Sequence, residues 1–396
     1  MADYERALVK EVWDGLQRFP NLIHVVTGPR QVGKTTVAQA VAERWSWARH
    51  FAAADEIFPQ SAEWIRSQWE LAQRLEAKKN PCLLILDEVQ KISGWSEILK
   101  GLWDAGRRRR NAPRVLVLGS SALLLTQGTN ESLAGRFLLH RCHHWSWEEC
   151  RVAFGWDLDR WLYFGGYPGA AKIADANELQ WKNYVRDSLV EAVLSRDVLS
   201  LQRITKPALL KHLFALACRL PAQAMSYTKM QGQLQDAGNT TTLAHYLQLL
   251  GTAFLLRGLE RYSAGQARSR GSTPKLVVWN NALVSALNPF TFEQARMDST
   301  WWGHLVENAV GAHLASRLDN LDYELSWWRE GNDEVDFVIS SGRKVWAVEV
   351  KSGRQKSAAG LTAFRKRFPH ATPLIVGSGG IALEDFFTHE PAQLFR

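Results

Sequence analysis

The chain of 396 residues is too long for one ordinary hydrophobic core, and its length predicts two or three domains. Apolar residues make up 46% and charged residues 22%, which is the balance of a soluble globular protein. The sequence contains no apolar run of the roughly 18 residues needed to span a bilayer, and residues 1–10 lack the apolar core of a signal peptide. We therefore expect a cytoplasmic protein without a membrane partner.

The net charge of +8 permits an anionic partner without identifying one. Basic residues concentrate in three stretches: a run of four arginines at 107–110, a loop-like segment at 257–275, and a C-terminal cluster at 343–367. One such stretch alone is typical of a solvated face. Three stretches in one chain favour nucleic-acid binding about as strongly as they favour solvated surface. DNA is therefore an expected partner, with solvated surface as the alternative.

Cysteine and histidine show no spacing that predicts a metal centre. The four cysteines lack a Cys-x-x-Cys pair, which favours free thiols over disulfides or zinc. The segment RCHHWSWEEC at 141–150 also fits no standard zinc pattern, because adjacent histidines point in different directions.

An apolar strand is predicted at 22–27. It is followed by Gly-x-x-x-x-Gly-Lys-Thr and then by a segment whose apolar residues recur at the spacing of an α-helix. Strand, glycine loop and helix in this order predict a phosphate-binding loop, in which backbone N–H groups and the positive helix end surround a triphosphate. Lys34 is expected to contact the β- and γ-phosphates and Thr35 to bind Mg²⁺. A chance match in a glycine-containing turn is the alternative. The residues expected to bind ATP are Gly28, Pro29, Arg30, Gln31, Val32, Gly33, Lys34, Thr35 and Thr36.

A second strand, at 83–87, ends in two carboxylates. Because functional groups gather at the carboxyl ends of parallel strands, Asp87 is expected to support the Mg²⁺ shell through water. Glu88 is expected to orient and polarise the attacking water. The competing interpretation of the acidic pair is a helix N-cap.

The third predicted strand ends at Ser120 and Ser121, which would contact the γ-phosphate or the attacking water if they do more than form a turn. Arg136 follows a glycine in LAGRF. It is either an arginine finger that reaches a neighbouring subunit's nucleotide, which implies a homo-oligomer, or an exposed arginine.

The motifs GPRQVGKTT, LLILDEVQK, VLGSSALL and LAGRF resemble those of the AAA-type P-loop ATPases of bacteria and archaea that carry a C-terminal DUF4143 region. The resemblance continues through YFGGYPGA, WKNYVRDSLVEAVLSRDV, GHLVENAV, EVDFVI and AVEVKSG. It implies an ATPase core, a helical and winged-helix middle, and a C-terminal fold like the PD-(D/E)xK nucleases. One departure is that Asn280 or Asn281 stands where family members often have aspartate.

Three predicted helices between 205 and 257 precede a hairpin, which is the order of a winged helix. The third helix, which begins with threonine caps, would be the groove reader in a DNA-binding version. Its outward residues are expected to include His245 and Gln248, which are polar without being basic. Winged helices also contact proteins, so both kinds of partner stay open.

The C-terminal region is expected to form a hairpin of EVDFVIS and KVWAVEVKS. Alternation along strands places Glu349 and Lys351 beside apolar neighbours, and Asp336, Glu349 and Lys351 form a D…E-x-K pattern. This pattern matches a nuclease site in which Glu307, Asp336 and Glu349 bind Mg²⁺ and Lys351 steadies the nucleophile. The alternatives are a charged edge hairpin and a nuclease fold without activity.

The sequence as a whole predicts an α/β protein with three domains: an AAA-type ATPase domain at 1–150, a helical and winged-helix region at 151–270, and a nuclease-fold domain at 271–396. The expected function is ATP binding and hydrolysis by a DNA-associated protein, with ATP and Mg²⁺ as cofactors and Lys34, Glu88 and Arg136 as catalytic residues. An ATP-regulated, Mg²⁺-dependent nuclease and a nucleotide-switched protein scaffold are the rival functions.

Overall fold

The computed structural model divides the chain into two compact units, Met1–His143 and His144–Arg396. Ser120 and Ser121 lie outside the described residues, and so do Arg268 and Arg270. The residues that the structure describes are 4–56, 61–75, 80–109, 111–119, 133–198, 204–234, 238–264, 273–353 and 359–395.

The first unit is built on a parallel sheet of five strands, which lie side by side in the order 2-3-4-1-5 when they are numbered along the chain. The predicted strands before the glycine loop and before the acidic pair are confirmed as β1 and β3. Every residue of these two strands is buried, which agrees with their mostly apolar sequences. The strands are β1 Ile23–Thr27, β2 Arg49–Ala53, β3 Leu83–Asp87, β4 Arg114–Gly119 and β5 Phe137–Arg141.

Helices cover this sheet with their apolar sides. Trp69 and Trp103 meet edge to face, with ring centroids 6.4 Å apart, and they join two helices over a core that includes Ile23, Leu86 and Val117. The helices are α1 Ala7–Arg18, α2 Lys34–Arg44, α3 Ala62–Arg74 and α4 Trp95–Arg109, with short 3₁₀ turns at Ala54–Glu56 and Val89–Lys91.

The second unit opens with a helical region whose helix starts are capped by side chains. Ser146 forms a capping box with Glu149, and Asp157 and Asn177 cap the next helices. The helix predicted from 181 begins as the α-helix Glu178–Tyr184 and continues in wider π-helical turns at Val185–Glu191 and Val193–Val198. The helices are α5 Trp147–Phe154, α6 Leu158–Phe164, α7 Pro168–Ala176 and α8 Glu178–Tyr184.

Three further helices and a hairpin follow, in the predicted order: α9 Pro207–Arg219, α10 Tyr227–Gln233, α11 Thr240–Thr252, then β6 Leu256–Leu259 and β7 Lys275–Val278. β6 and β7 pair antiparallel, and Ala224 forms an antiparallel bridge with Lys275. His245 and Gln248 are exposed on α11, as expected. The stretch 257–275 is not one basic loop, however, because Lys275 is a fully buried strand residue.

The C-terminal part follows the order helix, three antiparallel strands, helix, parallel strand. The sheet order is β11-β10-β9-β8, and only β10 and β11 run parallel. The expected hairpin is confirmed, with Ala347 opposite Val338. The elements are α12 Asn281–Ala286, α13 Phe292–Met297, α14 Ser299–Arg317, β8 Glu324–Glu330, β9 Asp333–Ser341, β10 Lys344–Lys351, α15 Ala359–Arg367, β11 Thr372–Gly377, α16 Leu383–Thr388 and α17 Pro391–Leu394.

All four cysteines lie in buried positions. Within the described ranges, none of the helices combines the length and the apolar character needed to cross a bilayer.

Candidate functional site

The loop after β1 adopts the tight backbone that its glycines predict. Gln31 and Gly33 both have positive φ angles, of 60° and 93°, and Gly33 caps the start of α2. Gly28 faces the chain after β5 so closely that a Cβ there would lie 2.0 Å from the carbonyl oxygen of Cys142. The close approach at Gly28 and the left-handed turn at Gly33 therefore explain the two glycines of the motif.

Lys34 lies inside this loop with only 7% of its surface exposed. Its Nζ donates to the carbonyl oxygens of Gly28, at 3.0 Å, and Pro29, at 2.6 Å. Burial lowers the pKa of Lys34, although Cys142, Glu88 and Asp87 oppose that effect. A buried ammonium inside a tight loop at a helix N-terminus is a place where an anionic phosphate would be stabilised.

Thr35 and Asp87 meet as the sequence predicts. The Thr35 hydroxyl donates to Asp87 Oδ2 at 2.9 Å, and the Glu88 backbone N–H donates to Asp87 Oδ1 at 2.9 Å. Burial raises the pKa of Asp87, while the bond from Thr35 works against that rise. A hydroxyl and a carboxylate brought together at the phosphate loop are oxygen donors of the kind that Mg²⁺ prefers, so these two residues fit the expected ion.

Glu88 is held in an unusual backbone conformation, with φ at 53° in the left-handed region. Gln90 Nε2 donates to its Oε2 at 2.8 Å, and Lys91 Nζ lies 3.9 Å from the same oxygen. Non-glycine residues held in this region are often found at functional sites. The carboxylate is thus fixed immediately beside Asp87, and the supporting role of Gln90 is one that sequence reasoning missed.

Arg6 is a second residue that sequence reasoning missed. It lies just before α1, is largely buried, and donates to Val32 O at 3.1 Å, Cys142 Sγ at 3.1 Å and His143 O at 3.2 Å. It therefore ties the phosphate loop to the chain that follows β5. The sequence carries no signal for this role beyond the presence of one basic residue near the first helix.

The other expected nucleotide residues lie in the same loop or in the first turn of α2. Val32 is buried, Arg30 is partly buried, and Thr36 is exposed in the first turn of α2. Ser120 falls outside the described residues, so its role stays a prediction.

Arg136 does not approach the phosphate loop of its own chain. Its backbone carbonyl accepts from Ile23, at the start of β1, whereas the loop begins where β1 ends, roughly 13 Å further along the strand. Its guanidinium holds both carboxylate oxygens of Asp104 on α4, at 2.9 and 3.2 Å, which lowers the pKa of that carboxyl. If Arg136 acts as an arginine finger, it would therefore contact the nucleotide of another subunit.

The C-terminal acidic residues form a second cluster, which is built around a lysine. Lys275 Nζ lies 2.5 Å from Glu307 Oε1, 3.2 Å from Glu334 Oε1 and 3.5 Å from Asp336 Oδ1. Asp336 Oδ2 accepts from the backbone N–H of Val350 at 2.8 Å. Sequence reasoning placed Lys275 in the loop-like basic stretch 257–275 and did not identify Glu334 as a site residue.

Glu349 and Lys351 form their own ion pair, with Lys351 Nζ 2.6 Å from Glu349 Oε1. Burial, followed by the charge of Asp336, raises the pKa of Glu349 to about 6 and that of Glu307 to about 8. Glu349 Oε2 is buried and has no hydrogen-bond partner among the described residues. The pair adjoins Asp336 as the D…E-x-K pattern predicts.

These acidic side chains do not form a metal shell. Across the described ranges, the structure brings no three His, Cys, Asp or Glu side chains together so that they could hold a metal ion. Lys275 contacts two of the three predicted ligands, Glu307 and Asp336, and Lys351 pairs with the third, Glu349. Mg²⁺ binding at this cluster stays a prediction that the arrangement of the side chains does not favour.

Asn280 and Asn281, one of which is expected to stand where the resembled family often has aspartate, are buried and hydrogen-bonded. Asn280 Oδ1 accepts from Gly166 and Ala282, while Asn281 Nδ2 donates to the carbonyls of Leu162 and Leu305. Asn308 joins Asn281 to both backbone groups of Val278 in β7. These amides therefore hold the helices and β7 together, which is a structural role.

Comparison with known families gives three matches along the chain. Residues 20–151 match the family described as an AAA domain. Residues 155–294 match a domain of unknown function, DUF8612, and residues 302–384 match another, DUF4143. The chain therefore combines an N-terminal AAA domain with the phosphate loop described above and a C-terminal DUF4143 domain.

Among curated proteins, the chain is 25% identical to uncharacterized protein Rv2008c of Mycobacterium tuberculosis over 85% of its own length and 71% of the relative's. It is 22% identical to uncharacterized protein MJ1544 of Methanocaldococcus jannaschii, over 83% and 74%. Similar solved structures include the Walker-type ATPase PABY2304 of Pyrococcus abyssi, at 14% identity, with a TM-score of 0.46 over 72% of this chain and 95% of that one. The RuvB Holliday junction branch migration motor of Thermotoga maritima has a TM-score of 0.32 at 16% identity, over 68% and 92%.

Proposed function

We propose that this protein binds ATP with Mg²⁺ and hydrolyses it. The observation that carries the proposal is the meeting of Lys34, Thr35 and Asp87 at one tight loop. The AAA domain match over this region supports the same conclusion. Loop amides and the start of α2 would bind the phosphates, and Lys34 would exchange its two carbonyl partners for phosphate oxygens.

Thr35 and Asp87 would hold the Mg²⁺ ion, which supplies positive charge against the phosphates when it is bound. Glu88 would accept a proton from the attacking water, and Gln90 and Lys91 would keep its carboxylate in place. Because Lys34 is buried, its ammonium should be stabilised more by negatively charged phosphate oxygens than by the neutral loop carbonyls that it contacts without ligand.

The proposal is tested by ATP binding and turnover of the purified chain. Lys34→Ala is expected to abolish both, whereas Glu88→Gln should keep ATP binding and reduce the turnover rate by about 10²–10⁴-fold. Lys10→Ala is the matched control, since Lys10 is an exposed lysine on α1. Equal turnover by the parent and the Lys34→Ala variant would contradict the assignment.

We also propose that the second unit associates with DNA. The order of α9, α10, α11 and the β6–β7 hairpin supports a winged helix, and the arginines and lysine at 365–367 are exposed at the end of α15. Phosphate contacts weaken steeply with salt, so affinity for a labelled duplex should fall roughly tenfold or more between 50 and 200 mM salt. Replacing residues 365–367 by alanine should weaken binding, whereas Arg66→Ala on α3 should not.

The two rival functions make different predictions in the same experiments. A nucleotide-switched scaffold would show no salt-sensitive DNA binding. An ATP-regulated nuclease would cut DNA with Mg²⁺ or Mn²⁺ and lose cleavage in Asp336→Ala while keeping ATP turnover. The helix and strand order of the C-terminal part supports a nuclease-like fold, whereas the lysine inside its acidic cluster argues against a metal-dependent reaction there.

A further inference from the structure

Lys275 is a charged residue with no exposed surface, and three carboxylates surround it. The lysine comes from β7, Glu307 from α14, and Glu334 and Asp336 from β9. Its ammonium also lies 5.1 Å from the ring centroid of Phe337. A strand from the segment that matches DUF8612 therefore inserts a positive charge into the acidic centre of the DUF4143 domain.

The charges of the cluster favour a cation at this position. Removing an ammonium from water costs several kcal/mol, and close opposite charges must offset that cost. Burial disfavours the charged lysine, yet oxygens of Glu307, Glu334 and Asp336 lie 2.5, 3.2 and 3.5 Å from its Nζ, close enough to offset that cost. Conversely, the carboxylates would repel one another in a buried site without a positive charge between them.

A divalent ion does not fit beside this ammonium. Mg²⁺ needs an octahedral set of oxygens at about 2.1 Å, and an ion bound to the nearest oxygen of Glu307 would lie within about 5 Å of Nζ, where two cations repel strongly in a buried site. Asp336 Oδ2 and Glu349 Oε1 already accept hydrogen bonds from Val350 and Lys351. Glu349 Oε2 alone would not form a metal shell.

We propose that the ammonium of Lys275 takes the place of a divalent cation in the acidic centre of the DUF4143 domain, so that the intact protein holds no metal there. The domain then acts by binding and not by metal-dependent cleavage, and the same ion pairs fix the β6–β7 hairpin to β9. This inference does not depend on ATP hydrolysis by the first unit.

The test measures Mn²⁺ binding to the full chain without nucleotide, by electron paramagnetic resonance of the free ion. The parent and Asp336→Asn are expected to bind the same number of ions, because the proposal places no ion at Asp336. Asparagine keeps an acceptor for the Val350 N–H, so this variant should retain the fold. Lys275→Met, which removes the charge at similar volume, should gain one bound ion, and Lys275→Met combined with Asp336→Asn should lose it again. Binding at Asp87 is common to all four proteins and cancels in these differences.

Two outcomes would overturn the proposal: one fewer bound ion in Asp336→Asn than in the parent, or no gained ion in folded Lys275→Met. Circular dichroism checks the fold of each variant. If Lys275→Met does not fold, Lys275→Arg provides the second variant, since it keeps a cation and is expected to bind no more Mn²⁺ than the parent. The comparison of the parent with Asp336→Asn decides the question without either lysine variant.

Discussion

At Gly28, one added methyl group would meet the carbonyl oxygen of Cys142 at 2.0 Å, so the backbone on one side must move. We predict that Gly28→Ala lowers the free energy of unfolding by more than about 2 kcal/mol, because overpacking against backbone cannot be relieved by a side-chain rotation. The same displacement should abolish ATP binding, since Gly28 also supplies a carbonyl partner of Lys34. Urea unfolding and an ATP titration measure the two effects.

The matched control for this substitution is Gly101→Ala, on the exposed side of α4. Its added Cβ would meet no atom within 4 Å. Alanine in a helix interior is more favourable than glycine, so this variant should gain roughly 0.5–1 kcal/mol. If the two variants changed stability alike, close approach at Gly28 would not be the reason for the glycine.

His24 predicts a pH dependence of stability in the first unit. Its ring has no exposed surface and contacts His140 at 3.0 Å and the carbonyl oxygen of Phe19 at 3.3 Å, with Glu11 on the far side of His140. Burial lowers the pKa of His24 to about 4, while the Phe19 carbonyl opposes the shift and His140 and Arg114 add to it. Below pH 6.5 the unfolded chain therefore takes up a proton that native His24 does not.

His24 therefore makes its full contribution to the free energy of unfolding above about pH 6.5. This contribution is lost as the pH falls towards 4, by on the order of 2–3 kcal/mol. We predict that His24→Gln flattens the fall in unfolding free energy between pH 7 and pH 5, measured by urea unfolding at each pH. His245→Gln, an exposed histidine on α11, should leave the slope as in the parent. An unchanged slope in His24→Gln would show that this ring does not govern the acid response.

At the scale of elements, Arg136 ties the start of β5 to α4 through Asp104. A purely structural tie predicts that Asp104→Ala and Arg136→Ala have the same effect. An arginine finger predicts a separation: Arg136→Ala would lose ATP turnover, while Asp104→Ala, which only frees the guanidinium, would keep it. We predict the separation, measured as kcat at saturating ATP.

The concentration of the protein supplies a control for that experiment. If Arg136 acts on a neighbouring subunit, turnover per chain should rise with protein concentration in the parent and in Asp104→Ala, and not in Arg136→Ala. Equal losses of turnover in both variants would leave Arg136 with its structural role alone.

The elements that the sequence predicted well are those whose signals are local. β1, the glycine loop and α2 follow one another without a gap, so sterics and apolar patterning specify the phosphate site within a few residues. The β9–β10 hairpin has the same advantage. Lys275 lacks such a local signal, because the carboxylates that surround it lie on α14 and β9. A basic residue near other basic residues in the sequence is more typical of an exposed surface. Arg6 and the contacts of His24 escaped the sequence for the same reason.

For the whole molecule, the two compact units each contain their own sheet, so a ligand of one unit need stabilise only that unit. We predict two transitions in calorimetry of the full chain and a nucleotide effect on one of them. ATP analogue with Mg²⁺ at 100 times its Kd should add about 2.7 kcal/mol to the unit that contains Lys34. Lys34→Ala should show both transitions without the shift. If nucleotide moved both transitions equally in the parent, unfolding of the second unit would have to be coupled to nucleotide binding at the loop that contains Lys34.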